Sequence, residues 1–215
     1  MKKVINQLEN NFKLNKIQNS EFDKFKFSVM KVESESYDIE GIGHVSYLNS
    51  KALFGLMRIE SIIINPIQVD ASLFSIEYMK IINNKTTIIE QYDTLLNSER
   101  KEDEFINIRN KYKDYEKINE DKHWYDDLLY KSSFRIATNK KNDDVSENCI
   151  NECVSVYIEQ LKNSDKCDID LKKQKTHKYS DGLIENGGPS TDVFNKGIGQ
   201  EKTKEFFNKV VFFNE

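Results

Sequence analysis

Between residues 25 and 96 the chain runs through five apolar, strand-like segments whose connections are all too short to hold a crossover helix. "FKFSVMKV" (25 to 32) alternates Phe25, Phe27 and Val29 with Lys26, Ser28 and Met30, the period of a half-buried strand. "IEGIGHVSYL" (39 to 48) carries Gly41 and Gly43, which suggest a bulge or a close approach of backbone. "LMRIESIII" (56 to 64), "LFSIEYMKI" (73 to 81) and "TTIIEQYDTLL" (86 to 96) follow, the last two joined by the turn residues "INNK" (82 to 85). Parallel neighbours need a connection of about a dozen residues or more, so a sheet of these segments is largely antiparallel.

The flanks read as helices. Residues 3 to 14 look helical, and "SERKEDEFINIRNKYKDYEKIN" (98 to 119) places Phe105, Ile108, Tyr112 and Tyr115 at helical spacing above a solvated face. "LLYKSSFRIAT" (128 to 138) reads as a sixth strand. In "VSENCINECVSVYIEQLK" (145 to 162), Cys149, Ile150, Cys153, Val154, Tyr157, Ile158 and Leu161 fall on one helix face. Residues 163 to 182 read as a polar, lysine-rich connection. The closing stretch, 186 to 213, opens on structure breakers, offers Ser190, Thr191 or Asp192 as a helix cap, and is split by Gly197 and Gly199. This order of elements is an α+β pattern. Helices on both sheet faces give a three-layer α/β/α sandwich with a central, mainly antiparallel sheet, predicted as one domain over residues 1 to 215.

Composition excludes several classes. The chain has 215 residues, 32% of them charged, and a formal net charge of -4, with no stripe of Lys and Arg along a helix, which argues against a nucleic-acid partner. The start "MKKVINQLENNF" leads into no apolar run, and no stretch approaches the roughly 18 apolar residues of a membrane helix. A cytoplasmic protein with no membrane partner is expected. Cys149, Cys153 and Cys167 lack the spacing of a metal site, so no metal is expected and a structural role fits them best.

Two residues resist the core reading. Glu60 and Glu77 each sit near the middle of an otherwise apolar strand. A carboxylate buried without a partner costs several kcal/mol, so it must be paired, solvated by a cavity, or kept protonated. One reading is an ordinary ion pair, for Glu60 with Arg58 or a lysine across the sheet, or simply an open sheet face. The other is a pair of carboxyls lining a pocket against the sheet, acting as proton donors.

The same stretch resembles the ferredoxin-dependent bilin reductases, a group that in its wider form includes red chlorophyll catabolite reductase. Gly55 and Leu56, the loop with Pro66, "DASLFS" from Asp70 to Ser75, and Glu77 follow the family's order of Gly-Leu, strand, Pro loop, "D-L-P-x-F-G" and an acidic residue. "YKSSFRI" (130 to 136) is similar to the family's strand before the long helix, and "STDVFNKGIGQEKTKEFFNKVVF" is similar to its closing helices. The resemblance touches most of residues 40 to 213. It implies an open-chain tetrapyrrole held between the sheet and the C-terminal helices. It also implies reduction of that pigment with reduced ferredoxin as external electron donor, no bound cofactor, and protons from side chains. Carried over by position, the family's catalytic aspartate falls on Glu77 and its catalytic histidine on Glu60. Losing the histidine leaves a second reading open, a tetrapyrrole-binding protein without turnover.

Further pigment-contact candidates are Arg58, Asp93, Lys172, Lys173 and Lys175. Asp93 lies where the family often has an aspartate, and a strand-end hydrogen bond is its simpler role. The lysines suit pigment propionates or an acidic ferredoxin, against the simpler reading of a solvated loop. His44 reads as a structural histidine, and His123 and His177 as exposed.

Overall fold

The computed structural model describes residues 1–18, 21–118, 122–139 and 142–213. The strands are β1 (Leu14–Ile17), β2 (Lys24–Phe27), β3 (Met30–Ile39), β4 (Gly43–Ala52), β5 (Met57–Pro66), β6 (Leu73–Ile81), β7 (Asn84–Tyr92) and β8 (Phe134–Asn139). They form one sheet in the order β1-β3-β4-β5-β6-β7-β8, with β2 also pairing with β3. Every pairing is antiparallel.

Helices cover both faces. On one face lie α1 (Lys2–Glu9), α2 (Asp103–Lys111) and α3 (Asp143–Lys162). Their apolar stripes meet Ile39, Val45, Ile62, Ile64, Phe74, Ile76 and Ile89 in the larger core. On the other lie α4 (Ile169–Asn186), α5 (Pro189–Ile198), α6 (Gln200–Phe206) and a π-helical turn, Phe207–Val211. These pack Tyr179, Leu183, Phe194, Phe206 and Val210 on Val32, Leu48, Leu73 and Tyr92. The α/β/α sandwich expected from the sequence is therefore present, and α3 buries the helix face its spacing predicts.

Several local expectations change. The strand expected over 25 to 32 is a hairpin, turning at Ser28, whose φ is 50°. The period-two pattern carried on through the turn and concealed it. The strand expected over 39 to 48 starts later, at Gly43, because Gly41 (φ 76°) turns the chain first. A Cβ on Gly43 would stand 2.3 Å from the Asn65 carbonyl oxygen, so β4 and β5 approach there as only glycine allows. The helix expected over 98 to 119 contracts to α2, and the first helix stops at Glu9.

The largest correction is α4, which occupies the stretch read as a lysine-rich connection. Asp168 caps it, accepting from the Leu171 N–H at 3.0 Å. Its inward stripe opens with Lys172 and Thr176 and only later becomes apolar, so the usual helical signal is weak. Lys172 is fully buried, and its Nζ donates to Asp70 Oδ1 (3.2 Å), Ala71 O (2.6 Å) and Thr94 O (2.6 Å). Burial lowers its pKa, and Asp70 opposes that. Asp70 in turn accepts the N–H groups of Leu96, Asn97 and Ser98, each at 2.8 Å. Burial alone would raise the Asp70 carboxyl. Those N–H groups and Lys172 outweigh it and hold the carboxyl well below the usual range.

Breaking a buried pair by removing one partner strands the other charge. Lys172→Met is expected to cost roughly 3–5 kcal/mol, read as a lower urea midpoint at neutral pH. The Asp70 contribution is present above the unfolded carboxyl value of about 3.9 and lost as pH falls through its depressed folded value. A variant with an unchanged urea midpoint would show that the pair carries no net stability.

Candidate functional site

Strand pairing fixes which side chains share a face. Ser61 of β5 stands opposite Glu77 of β6, which stands opposite Ile88 of β7, which stands opposite Arg135 of β8. One step along, Ile63 faces Ser75, and Ser75 faces Glu90. Neighbours along a strand alternate faces, so this set lies on the side of α4 to α6. All of these residues are half-buried. The intervening residues Ile62, Ile76 and Ile89, on the α3 side, are sealed. The sheet is thus closed on one face and, across β5 to β8, partly open on the other.

Glu77 sits in the floor of that opening. Ser61 Oγ donates to its carboxyl at 3.4 Å, and Ser190, in the first turn of α5, also hydrogen-bonds it. Burial, then the charge of Glu90, pushes the Glu77 carboxyl up to about 7; Ser61, Arg135 and Ser190 pull it down. Burial raises Glu90 as well, against a hydrogen bond from Tyr92 Oη at 2.7 Å and the charges of Arg135 and His123. Two acids and one arginine therefore lie on the same strip of the sheet, and burial raises the proton affinity of both acids.

Aromatic rings wall the opening. Tyr92 packs on Tyr179 with centroids 4.3 Å apart, and Tyr125 meets both edge-on or tilted. Trp124 lies close against Gly182 of α4, where a Cβ would stand 2.2 Å from the indole, and its Nε1 donates to Gly187 O at 2.9 Å. At the β8 side the opening deepens into a cavity of about 270 Å³ lined in part by Ile88, Glu90, Asp126, Leu129, Ser133 and Arg135. A second cavity of about 270 Å³ lies elsewhere, beside Ser72, Gln91, Tyr130 and Gln160. Several of its polar groups bond one another: Gln91 Nε2 donates to Ser72 Oγ and Gln160 Oε1.

The structure separates most of the residues the sequence put together. Glu60 is paired in register with Tyr78, not with Glu77, and points to the α1 and α3 side. There it takes Arg58 Nη2 at 3.0 Å and the Tyr47 hydroxyl at 2.6 Å. The expected shared pocket of Glu60 and Glu77 does not form, because the two glutamates occupy opposite faces of one sheet. Arg58 leaves the site with Glu60. Asp93 pairs with Arg100 at 2.6 Å. Lys172 is spent on the buried network described above, and Lys175 donates to the Leu95 carbonyl. Lys173 is half-buried on α4 with an interaction of its own. His44 is buried, its Nε2 donating to Val210 O at 3.0 Å and its ring stacked on Phe213; burial lowers its pKa to about 4, so it is neutral. Among the described residues, no cluster of His, Cys, Asp and Glu is arranged to hold a metal.

Glu90 and Arg135 escaped the sequence reading. Glu90 had a signal: the tight turn after β6 fixes the β6–β7 register, and Glu90 then falls on the face of Glu77. Arg135 had none until β8 was aligned.

A mixed α+β fold with one large antiparallel sheet between helical layers is the fold of the bilin reductases. Among solved structures the chain is similar to phytochromobilin synthase from tomato, whose crystal structure is in complex with biliverdin. The TM-score is 0.76, covering 99% of this chain and 81% of that one, at 13% sequence identity. No protein-family model and no curated protein matches the chain.

The proton on Glu77 has a measurable consequence. The folded chain holds it more tightly than the unfolded chain, so its contribution is fully present below about pH 4.3. That contribution is lost as pH rises through about 7. Glu77→Gln is expected to raise the melting temperature above neutral pH and leave it unchanged near the unfolded carboxyl's value. An equal shift at both ends of the pH range would show that Glu77 titrates normally.

Proposed function

We propose that this chain binds a linear tetrapyrrole of the biliverdin type in the opening between β5–β8 and the C-terminal helices, and reduces it. Reduced ferredoxin supplies the electrons from outside the fold, and no cofactor is bound. Glu77 supplies a proton. The observation that carries this reading is the half-buried carboxyl of Glu77, held near pH 7 in an aromatic-walled opening on the sheet. A group with that value can be protonated before electron transfer and reload from water afterwards. Burial raises its proton affinity, with Glu90 adding to the rise and Arg135 opposing it from neighbouring strands. The biliverdin held by the similar tomato enzyme supports the choice of ligand class. Each double bond reduced takes up two electrons and two protons, and Glu77 delivers one of the protons.

A second reading, a tetrapyrrole binder without turnover, is favoured by one observation. The position matching the family's histidine is turned to the other face, and Ser61, which stands beside Glu77, is no acid at neutral pH.

The test is a titration with biliverdin followed, without oxygen, by reduced ferredoxin. Binding is expected to produce a visible band that moves as conjugation shortens. Glu77→Gln is expected to bind within a few-fold of the parent and to lose turnover by about a hundredfold or more. A stable, unshifting band selects the second reading. Full activity in Glu77→Gln removes Glu77 from the chemistry. No band at all would leave only the likeness of fold.

A further inference from the structure

One end of the sheet carries a second pattern, unrelated to the pigment opening. Lys26 stands opposite Lys31, Lys31 opposite Lys51, Lys51 opposite Arg58, Arg58 opposite Lys80, and Lys80 opposite Lys85. Like charges placed directly across strands destabilise a sheet, and here they run in one line across six strands. Lys26, Lys31, Lys51 and Lys80 are exposed. Among the described residues none of those four reaches an ion-pair partner, while the nearby carboxylates Glu33 and Glu60 are matched to Lys24 and Arg58. Folding gains no ion pair from these four exposed lysines, so their use is outward.

The line ends in apolar tips. The β2–β3, β4–β5 and β6–β7 turns all lie at this end of the sheet. Among the described residues, six of the ten large exposed apolar side chains are found there: Val29, Leu53, Phe54, Leu56, Ile81 and Ile82. Phe54 is 111% exposed, as free as in an extended chain. Leu53, Phe54 and Ile82 hold left-handed backbone (φ 51°, 57° and 57°), which bulky residues adopt only at a cost in stability. The Ile82 N–H donates to Leu56 O at 2.8 Å, which binds two of the turns into one rim. Four of the bases lie two residues from a tip: Lys31 from Val29, Lys51 from Leu53, Arg58 from Leu56, Lys80 from Ile82. Two strand residues span about 7 Å. That matches the roughly 5–10 Å between buried apolar side chains and the headgroup plane at a bilayer surface.

We propose that this end of the sheet docks on an anionic lipid bilayer. The turn residues enter the boundary between headgroups and acyl chains, and the lysines behind them meet lipid phosphates. Lysine is depleted in the cores of protein interfaces but gains affinity at anionic lipid, so a protein partner fits these residues less well. The remainder of the chain is net negative, which orients the basic end toward the membrane and the rest away. Among the described residues no helix is long and apolar enough to cross a membrane, and the surface described here lies on one instead.

The experiment is co-sedimentation of the full chain with phosphatidylcholine vesicles, with and without phosphatidylserine. Phosphatidylserine is expected to raise the bound-to-free ratio by about tenfold or more, and added salt to reverse the gain. Lys51→Gln and Lys80→Gln should each lower that ratio about fivefold, the equivalent of about 1 kcal/mol per lysine. Phe54→Ser should lower it roughly tenfold on the same vesicles. Circular dichroism and melting temperature confirm that each variant is folded. Equal sedimentation on both vesicle types, or folded variants that bind like the parent, would overturn the proposal. So would a dimer in solution that Phe54→Ser dissociates, since the rim would then meet a second copy.

Discussion

Lys172 and Asp70 together hold the C-terminal half of the molecule in place. An ammonium and a carboxylate removed from water are tolerable only when every lone pair and proton is answered. Here the ammonium meets a carboxylate and two carbonyls, and the carboxylate also receives three backbone N–H groups. Three separate pieces of chain are thereby fastened: the β5–β6 loop, the segment after β7, and α4. From α4 hang Tyr179 and Gly182, and against those stand Tyr92, Tyr125 and Trp124. The aromatic wall of the opening is placed by an ion pair that lies outside it.

The sheet then imposes its own division. One face is sealed by α1, α2 and α3 and makes the larger core. The other is covered at β3 and β4, where Ser36 Oγ and His44 Nε2 both donate to the Val210 carbonyl. Toward β8 it opens, and the serines, Glu77, Glu90 and Arg135 share the half-wet strip. Glu60 and Glu77 look alike in sequence and differ completely in surroundings. Glu60 is answered by a guanidinium and a phenol. Glu77 is answered by hydroxyls, and burial, then the neighbouring acid, raises its proton affinity.

The sequence made the meander, α3 and the layered architecture legible, because those rest on apolar period and short connections. It hid α4, whose first inward residues are Lys172 and Thr176. It hid the turn at Ser28, since alternation continues through it. Facing was the harder matter. Between β5 and β6 runs a loop rather than a tight turn, so nothing in residues 67 to 72 fixes the register that sets Glu77 against Ser61. The β6–β7 connection is tight, and there the neighbour of Glu77 was within reach of counting. The lysines were legible as a cluster, but the helix that buries one of them was not.

The polar seam beneath the first turns of α4 differs from the apolar seam beneath α3 in its response to temperature. Exposing apolar surface raises heat capacity and exposing polar surface lowers it. Cooling weakens the grip on Cys149, Cys153 and Val154, which are fully buried among isoleucines and aromatics. Hydrogen bonds and charge around Lys172 lose little by the same cooling. The first turns of α4 and the seam beneath α3 therefore answer cooling differently, the apolar seam losing more of its grip than the polar one.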